Sequence, residues 1–104
     1  GAVIVMDETT DMVLALRRIS RFYFSESCGQ CTPCREGTGW LERVLERVET
    51  GQGKSDDMDV LSDAARFMAG RTICALADGA AAPVLSLIKH VPEVVQAGIV
   101  EKAA

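Results

Sequence analysis

The chain has 104 residues, of which 48% are hydrophobic and 25% are charged, and its formal net charge is −4. This length and composition predict one modest globular domain and exclude an intrinsically disordered chain. The negative charge gives no reason to expect a nucleic-acid partner, because nucleic-acid binding needs a basic face. No apolar run is long enough to cross a bilayer, so we expect no direct membrane insertion.

The apolar start of the chain is too short for a signal peptide and lacks a basic beginning. We therefore expect a cytoplasmic protein, or one in a compartment of similar reducing character such as the mitochondrial matrix. In that setting, four cysteines indicate a metal site or redox chemistry more than a disulfide framework.

Residues 1–6 form a continuous apolar run that includes Val3, Ile4 and Val5, typical of a strand buried on both faces. No other segment reads as a strand that could pair with it, and a lone strand leaves its backbone polar groups unsatisfied. We therefore expect residues 1–7 to complete a sheet in a preceding domain that this chain lacks. Residues 8–104 are then expected to form a helical domain.

The first two predicted helices follow this strand. Thr10 and Asp11 are candidate caps for a first amphipathic helix that ends near residue 24. A second helix is predicted over residues 33–49, with Thr32 as its N-cap and Pro33 as its first residue, where proline's missing N–H costs nothing. The predicted apolar face of this second helix consists of Trp40, Leu41, Val44, Leu45 and Val48.

Two further helices are predicted in the second half of the chain. The third covers residues 56–69 and ends at Gly70. The fourth covers residues 78–90, and Pro92 then breaks it and opens a short last helix. Four amphipathic helices joined by short loops must share one core. The sequence therefore predicts an all-α fold, a small four-helix bundle preceded by one short N-terminal strand that belongs to a missing domain.

The strongest functional signal is the run Cys28-x-x-Cys31-x-x-Cys34, followed much later by Cys74. Three thiolates at this spacing can hold three corners of an iron–sulfur cubane, and bacterial ferredoxins use the same triple spacing. The fourth thiolate must come from a segment that folds back onto the first, so we expect cluster binding and folding to be coupled. Cys34 is expected in the first turn of the second helix, where the helix dipole favours a thiolate.

The residues between these cysteines suit a cluster site. Gly29 lets the backbone pass close to an inorganic core. The N–H groups of Gly29, Gln30 and Thr32 can point at sulfides, as N–H groups do in other anion-binding loops. Arg35, together with Arg71, is a candidate for offsetting the negative charge of the site. For both arginines an ordinary surface position is the alternative.

Other chemistries fit the sequence less well. Zinc usually takes two separated pairs of cysteines, so a zinc site is the second interpretation, and buried or catalytic thiols are the third. His90 lies at a predicted helix C-terminus beside Lys89, so it is interpreted as a helix-end residue and not as a metal ligand or a base. Ser27 and Ser86 have no neighbouring base, so we expect no catalytic residues. No set of residues in this chain is suited to bind a nicotinamide or a flavin.

Two segments resemble a known family. The first runs Glu26-Ser27-Cys28-Gly29-Gln30-Cys31-Thr32-Pro33-Cys34-Arg35-Glu36-Gly37-Thr38-Gly39-Trp40. The second runs Thr72-Ile73-Cys74-Ala75-Leu76-Ala77-Asp78-Gly79-Ala80-Ala81, followed by Pro83-Val84. Both resemble the flavoprotein subunit of respiratory complex I, and related subunits of NAD-linked hydrogenases and formate dehydrogenases share this signature. Residues 1–7 resemble the strand that leads into the C-terminal helical domain of that subunit.

The resemblance implies a function. Cys28, Cys31, Cys34 and Cys74 would ligate a [4Fe–4S] cluster next to the flavin, and NADH would reduce FMN. The cluster would take electrons singly from FMN and pass them to the iron–sulfur subunits of the complex. FMN and NADH would be bound by the missing part of the subunit, so this chain alone would not oxidise NADH. The resemblance also implies a place on the peripheral arm of a membrane-bound complex.

One rival function of another class stays open, and the sequence departs from the family pattern at one position. The rival is a zinc-stabilised module that docks partner subunits. The hydrogenase and formate dehydrogenase branches of the family are the alternative settings for the same electron relay. Ala82 stands where the family usually has tryptophan, and we expect this to loosen the packing near the fourth cysteine.

Overall fold

Five α-helices make up the computed structural model, which describes residues 3–99. They are α1 Met12–Glu26, α2 Thr32–Glu49, α3 Asp57–Met68, α4 Leu76–His90 and α5 Pro92–Gln96. The prediction of an all-α fold is confirmed, and Pro92 opens a short last helix as expected. Between residues 3 and 99, no helix is both long and apolar enough to span a membrane.

Helices α1 to α4 form the bundle. Helix α1 packs on α2, α2 on α3, α3 on α4, and α4 returns to α1. Each of these helices turns an apolar stripe inwards, because burying it is the main favourable term in folding. The large side chains that are completely or almost completely buried include Leu41, Val44, Leu45, Leu61, Met68, Val84 and Val95.

The predicted apolar face of α2 is right except at Trp40. The Trp40 residue is 53% exposed, whereas the adjacent Leu41 is 1% exposed. Leu41 shares the core-facing stripe with Val44 and Val48, at helical spacings that keep side chains on one face. Trp40 falls outside that stripe, and it lines a groove between α2 and α3 together with Phe67.

The N-termini of α1 and α2 are capped in different ways. Asp11 caps α1 as expected, since its Oδ1 accepts the Leu14 N–H at 3.1 Å. The prediction that Thr32 is the N-cap of α2 is wrong. Helix α2 begins at Thr32, and Cys31 occupies the N-cap position with an extended backbone. The Thr32 hydroxyl accepts a hydrogen bond from Arg35 Nη2 at 3.3 Å instead of one from the helix backbone.

Helix α4 begins at Leu76, two residues before the predicted start at Asp78. In the structure Asp78 lies inside the first turn, and its Oδ1 accepts the Gly70 N–H at 2.7 Å. This bond ties the start of α4 to the end of α3, on either side of the loop that carries Cys74.

The N-terminal strand that the sequence predicts is not formed by residues 3–6. Residues 3–6 are exposed and form neither helix nor strand, while the first two residues of the predicted strand lie outside the described part of the chain. Among residues 3–99, the isolated bridge is the parallel one between Gly53 and Ile99. The division into residues 1–7 and 8–104, with a sheet in a preceding domain, stays a prediction.

Candidate metal centre

The four cysteines line the same cavity. This cavity has a volume of about 140 Å³ and lies where the loop before α2 meets the loop before α4. Its wall consists of Glu26, Ser27, Cys28, Gln30, Cys31, Cys34, Thr72, Cys74 and Leu76. Two segments that are far apart in the sequence therefore bring all their thiols to one place.

The four cysteines differ in their contact with solvent. Cys34 is buried, Cys31 is half-buried, and Cys28 and Cys74 are exposed. All four are free thiols. Cys34 lies in the first turn of α2, as expected, and its backbone carbonyl accepts the Thr38 hydroxyl at 2.6 Å. The cavity therefore has a closed side at the start of α2 and an open side at the surface.

The loop between α1 and α2 is folded tightly around Gly29. Gly29 has a φ of +82°, a left-handed conformation that glycine adopts without strain. Its N–H donates to Ser27 Oγ at 3.3 Å. Its carbonyl accepts from Arg35 Nη1 at 2.8 Å, so the Arg35 side chain clamps the loop onto α2. Arg35 also forms an ion pair with Glu36 at 3.2 Å. The negative charge of Glu36 partly offsets the positive charge that Arg35 brings to this loop.

The loop that carries Cys74 is joined directly to the three-cysteine loop. The Ile73 N–H donates to Cys31 Sγ at 3.4 Å, between residues 42 positions apart in the chain. The Thr72 hydroxyl donates to the Cys74 carbonyl at 2.9 Å and so shapes the local backbone. A backbone N–H that donates to a cysteine sulfur is a contact that sequence patterns do not reveal.

A second contact to a cysteine sulfur comes from Ser27. Its Oγ lies 3.2 Å from Cys34 Sγ. From the sequence, Ser27 is considered only as a nucleophile and is rejected because it lacks a base. The one signal in the sequence for a role of Ser27 at the site is that it precedes Cys28. This signal does not indicate that its hydroxyl contacts Cys34.

The other predicted site residues lie near the cavity in different ways. Gln30 lines the cavity, and Thr32 lines the neighbouring groove between α2 and α3. Arg71 lies over the Phe67 ring, 5.2 Å from its centroid, and lines that groove instead of the cavity. Contacts of Gly29, Gln30, Thr32 and Arg35 with a bound cluster stay predictions.

The donor set fits a polynuclear cofactor. Four thiols line a cavity of about 140 Å³. Thiolates are the ligands that iron–sulfur clusters prefer. In the part of the chain that the structure describes, no three His, Cys, Asp or Glu side chains gather closely enough to hold one metal ion. His90 is exposed at the end of α4, where a helix-end residue is expected. The fold and the site together define a small helical iron–sulfur domain.

The comparison with protein families agrees with this class. Residues 14–98 match the model of the NADH-ubiquinone oxidoreductase-F iron-sulfur binding region. The chain belongs to this family, and the resemblance seen in the sequence is thereby confirmed. The prediction of a [4Fe–4S] cofactor is confirmed at the level of the family, while the individual ligands remain predictions.

Several known proteins are similar to the chain. It is 53% identical over 90 residues to an NADH-quinone oxidoreductase subunit of Rickettsia bellii, covering 86% of this chain and 22% of that protein. It is 56% identical over 90 residues to the mitochondrial NADH dehydrogenase [ubiquinone] flavoprotein 1 of Dictyostelium discoideum, again over 86% of this chain and over 19% of the relative. The chain thus spans about a fifth of the length of these relatives.

A solved structure has the same fold. It is an NAD⁺-reducing [NiFe]-hydrogenase in the H2-reduced state, with a TM-score of 0.88 and 33% sequence identity. The match covers 96% of this chain and 17% of the hydrogenase chain.

Proposed function

We propose that this chain binds a [4Fe–4S] cluster through Cys28, Cys31, Cys34 and Cys74 and serves as a one-electron relay in an NADH-oxidising complex. The observation that carries the proposal is that both cysteine segments line one cavity. Membership of an iron–sulfur family supports the same cofactor independently.

The chain contributes ligands, shielding and attachment in this proposal. Cys34 and Cys31 form the inner wall of the site, and the exposed Cys28 and Cys74 leave its outer side accessible. Such an arrangement suits electron transfer across an interface, because the outer side can face a partner. The Ile73 N–H donates to Cys31 Sγ and keeps the remote segment against the local one.

When bound, a [4Fe–4S] cluster supplies reversible one-electron chemistry at a potential that depends on hydrogen bonds to its sulfurs, on nearby charge and on solvent exposure. The chain controls each of these factors. Arg35 holds the loop through the Gly29 carbonyl, and its own charge is shared with Glu36. The chain forms and breaks no covalent bonds of a substrate in this role.

The electron donor and acceptors belong to the rest of the assembly. We propose that FMN, reduced by NADH in the part of the subunit outside this chain, donates the electrons. Iron–sulfur centres in neighbouring subunits would accept them, on the peripheral arm of a membrane-bound complex in the cytoplasm or mitochondrial matrix. The names of the relatives, an NADH-quinone oxidoreductase subunit and a flavoprotein, support this scheme.

A second setting is the same relay in an NAD-linked hydrogenase. The similarity to the NAD⁺-reducing hydrogenase structure, with a TM-score of 0.88, favours this candidate. We rank it below the quinone-reducing complex because its identity is 33%, against 53% and 56% for the relatives named above. Subunits that purify with the native protein separate the two, since only the hydrogenase brings a nickel-containing partner.

The test is Cys74→Ala in the full-length native protein, with Ile73→Ala as the matched control. Ile73 is the adjacent residue, it is 85% exposed, and its N–H bond to Cys31 is a backbone contact that alanine retains. We expect Cys74→Ala to lose or convert the cluster and to lose helical content, because binding and folding are coupled. Ile73→Ala should keep both.

Iron and acid-labile sulfide content, visible absorption, electron paramagnetic resonance (EPR) after reduction and circular dichroism are the measurements. Full four-iron content and an unchanged melting curve in Cys74→Ala would show that position 74 is not a ligand. A colourless native protein with one zinc per chain would establish the zinc-stabilised docking module instead.

A further inference from the structure

A hydroxyl group contacts the most buried of the four cysteines. Ser27 Oγ lies 3.2 Å from Cys34 Sγ, across the gap between the end of α1 and the first turn of α2. Cys34 is 7% exposed and Ser27 is half-buried. Because Cys34 is buried, the electrostatic effect of this contact is screened less than it would be at the surface.

The chemistry of a metal-binding cysteine determines which atom is the donor. The Gly29 N–H donates to Ser27 Oγ at 3.3 Å and uses one of its acceptor positions. Ser27 has one hydroxyl hydrogen, and accepting the bond from Gly29 does not use it. A cysteine that binds a metal is a thiolate and has no hydrogen to give. With Cys34 as a ligand, Ser27 must be the donor.

Both partners are anchored by helix backbone. Ser27 ends α1, where its N–H donates to the Tyr23 carbonyl at 3.0 Å. Cys34 is fixed in α2, and its carbonyl accepts the Thr38 hydroxyl at 2.6 Å. Helices α1 and α2 pack against each other, and Arg17 of α1 also pairs with acidic side chains of α2. The contact thus depends on the packing of two helices.

We infer that Ser27 tunes the cluster by donating a hydrogen bond to the Cys34 sulfur, an inference that rests on the function proposed above. One-electron reduction makes the cluster and its thiolates more negative. A donor aimed at a thiolate stabilises the more negative state more strongly, because charge-assisted hydrogen bonds strengthen with charge. Ser27 therefore raises the reduction potential and acts as a positioning residue that touches a ligand.

The test compares three variants in the full-length native protein with its cluster loaded. Ser27→Ala removes the donor and Ser27→Thr retains a hydroxyl. Ser25→Ala is the matched control, because the Ser25 hydroxyl is exposed and donates to the Phe22 carbonyl at 2.8 Å. The potential of the cluster is measured by EPR-monitored redox titration, together with the iron content. Proton hyperfine spectra before and after exchange into D2O detect the hydroxyl hydrogen.

In Ser27→Ala we expect full iron and a lower potential, so that the ratio of reduced to oxidised cluster at a fixed poise falls about two- to tenfold. One exchangeable proton coupling should disappear with it. Ser27→Thr and Ser25→Ala should keep the native potential and coupling.

An unchanged potential in a fully loaded Ser27→Ala protein overturns the inference. So does loss of iron from that variant alone, because the inference assigns the hydroxyl to the potential and not to cluster retention. A native protein that binds zinc or no metal overturns the proposed function itself, and this inference falls with it.

Discussion

Asp57 offers the sharpest stability test, because its carboxylate is completely buried at the start of α3. Its Oδ1 accepts from Arg47 Nη2 at 2.6 Å, and its Oδ2 accepts from Arg47 Nε at 3.3 Å and from the Lys54 N–H at 2.8 Å. Burial raises the pKa of Asp57, but the bonds from Arg47 and Lys54 lower it by more, so the pKa lies below its usual value. The carboxylate ties α2, the following loop and α3 together.

The magnitude follows from what each substitution leaves behind. Breaking a fully buried ion pair costs about 3–5 kcal/mol. The Arg47 side chain is 38% exposed, so water recovers part of that loss. We therefore expect Asp57→Ala to cost about 2–3 kcal/mol of unfolding free energy. Asp57→Asn retains the shape and one acceptor oxygen, and we expect a cost of about 1–2 kcal/mol.

Urea denaturation of cluster-loaded protein at constant iron content measures these costs. Asp56→Asn is the matched control, since Asp56 is exposed and makes no side-chain cap bond, and its cost should stay within about 0.5 kcal/mol. The pKa of Asp57 in the folded protein lies below its unfolded value of 3.8. The stability that the Asp57 carboxylate contributes is therefore fully present above pH 3.8 and is lost as the pH falls through the folded-state pKa. The difference between wild type and Asp57→Asn should therefore stay constant from about pH 5.5 to 8.

Either of two results would refute the reasoning about Asp57. One is an Asp57→Asn cost no larger than that of the Asp56 control. The other is a difference that grows as the pH falls from neutral to about pH 6, which would mean that the folded-state pKa is raised.

Two other substitutions test the packing, each with a control and the same urea assay. Gly98→Ala should cost about 1–3 kcal/mol, because its new Cβ would overlap the Val48 carbonyl oxygen, which is backbone and cannot swing away. Gly51→Ala meets open space but has a φ of +79°, so it should cost only about 1 kcal/mol, and a larger cost at Gly51 than at Gly98 would contradict the overlap. Leu41→Ala should cost about 2–5 kcal/mol, and its control Trp40→Ala should cost about 1 kcal/mol or less, because Leu41 is buried and Trp40 is exposed. Equal costs would contradict the exposed position of Trp40.

The helices could be predicted because their signals are local. Periodic apolar residues, Asp11 before α1 and Pro92 at the first position of α5 act within a few positions of the chain. The errors lie at the starts of two helices, where a polar side chain bonds to a group other than the first N–H groups of its own helix. The Thr32 hydroxyl accepts from Arg35, three residues further on, and the Asp78 carboxylate accepts the Gly70 N–H from the other side of the Cys74 loop.

The four cysteines could be proposed as one site from their chemistry and spacing, but the contacts around them could not. No local pattern relates Ile73 to the Cys31 sulfur or Ser27 to the Cys34 sulfur, since each pair spans two segments. The exposure of Trp40 also depends on how α3 packs beside α2, not on the α2 pattern alone.

The amino-acid sequence by itself determined the helical periodicity and the supply of four thiols, because both depend on residue type and short-range spacing. Only the tertiary structure decided which backbone N–H and which hydroxyl meet those thiols, and that the carboxylate of Asp57 is buried against Arg47. The physical reason is that these contacts form between segments whose relative position is set by packing of the whole core.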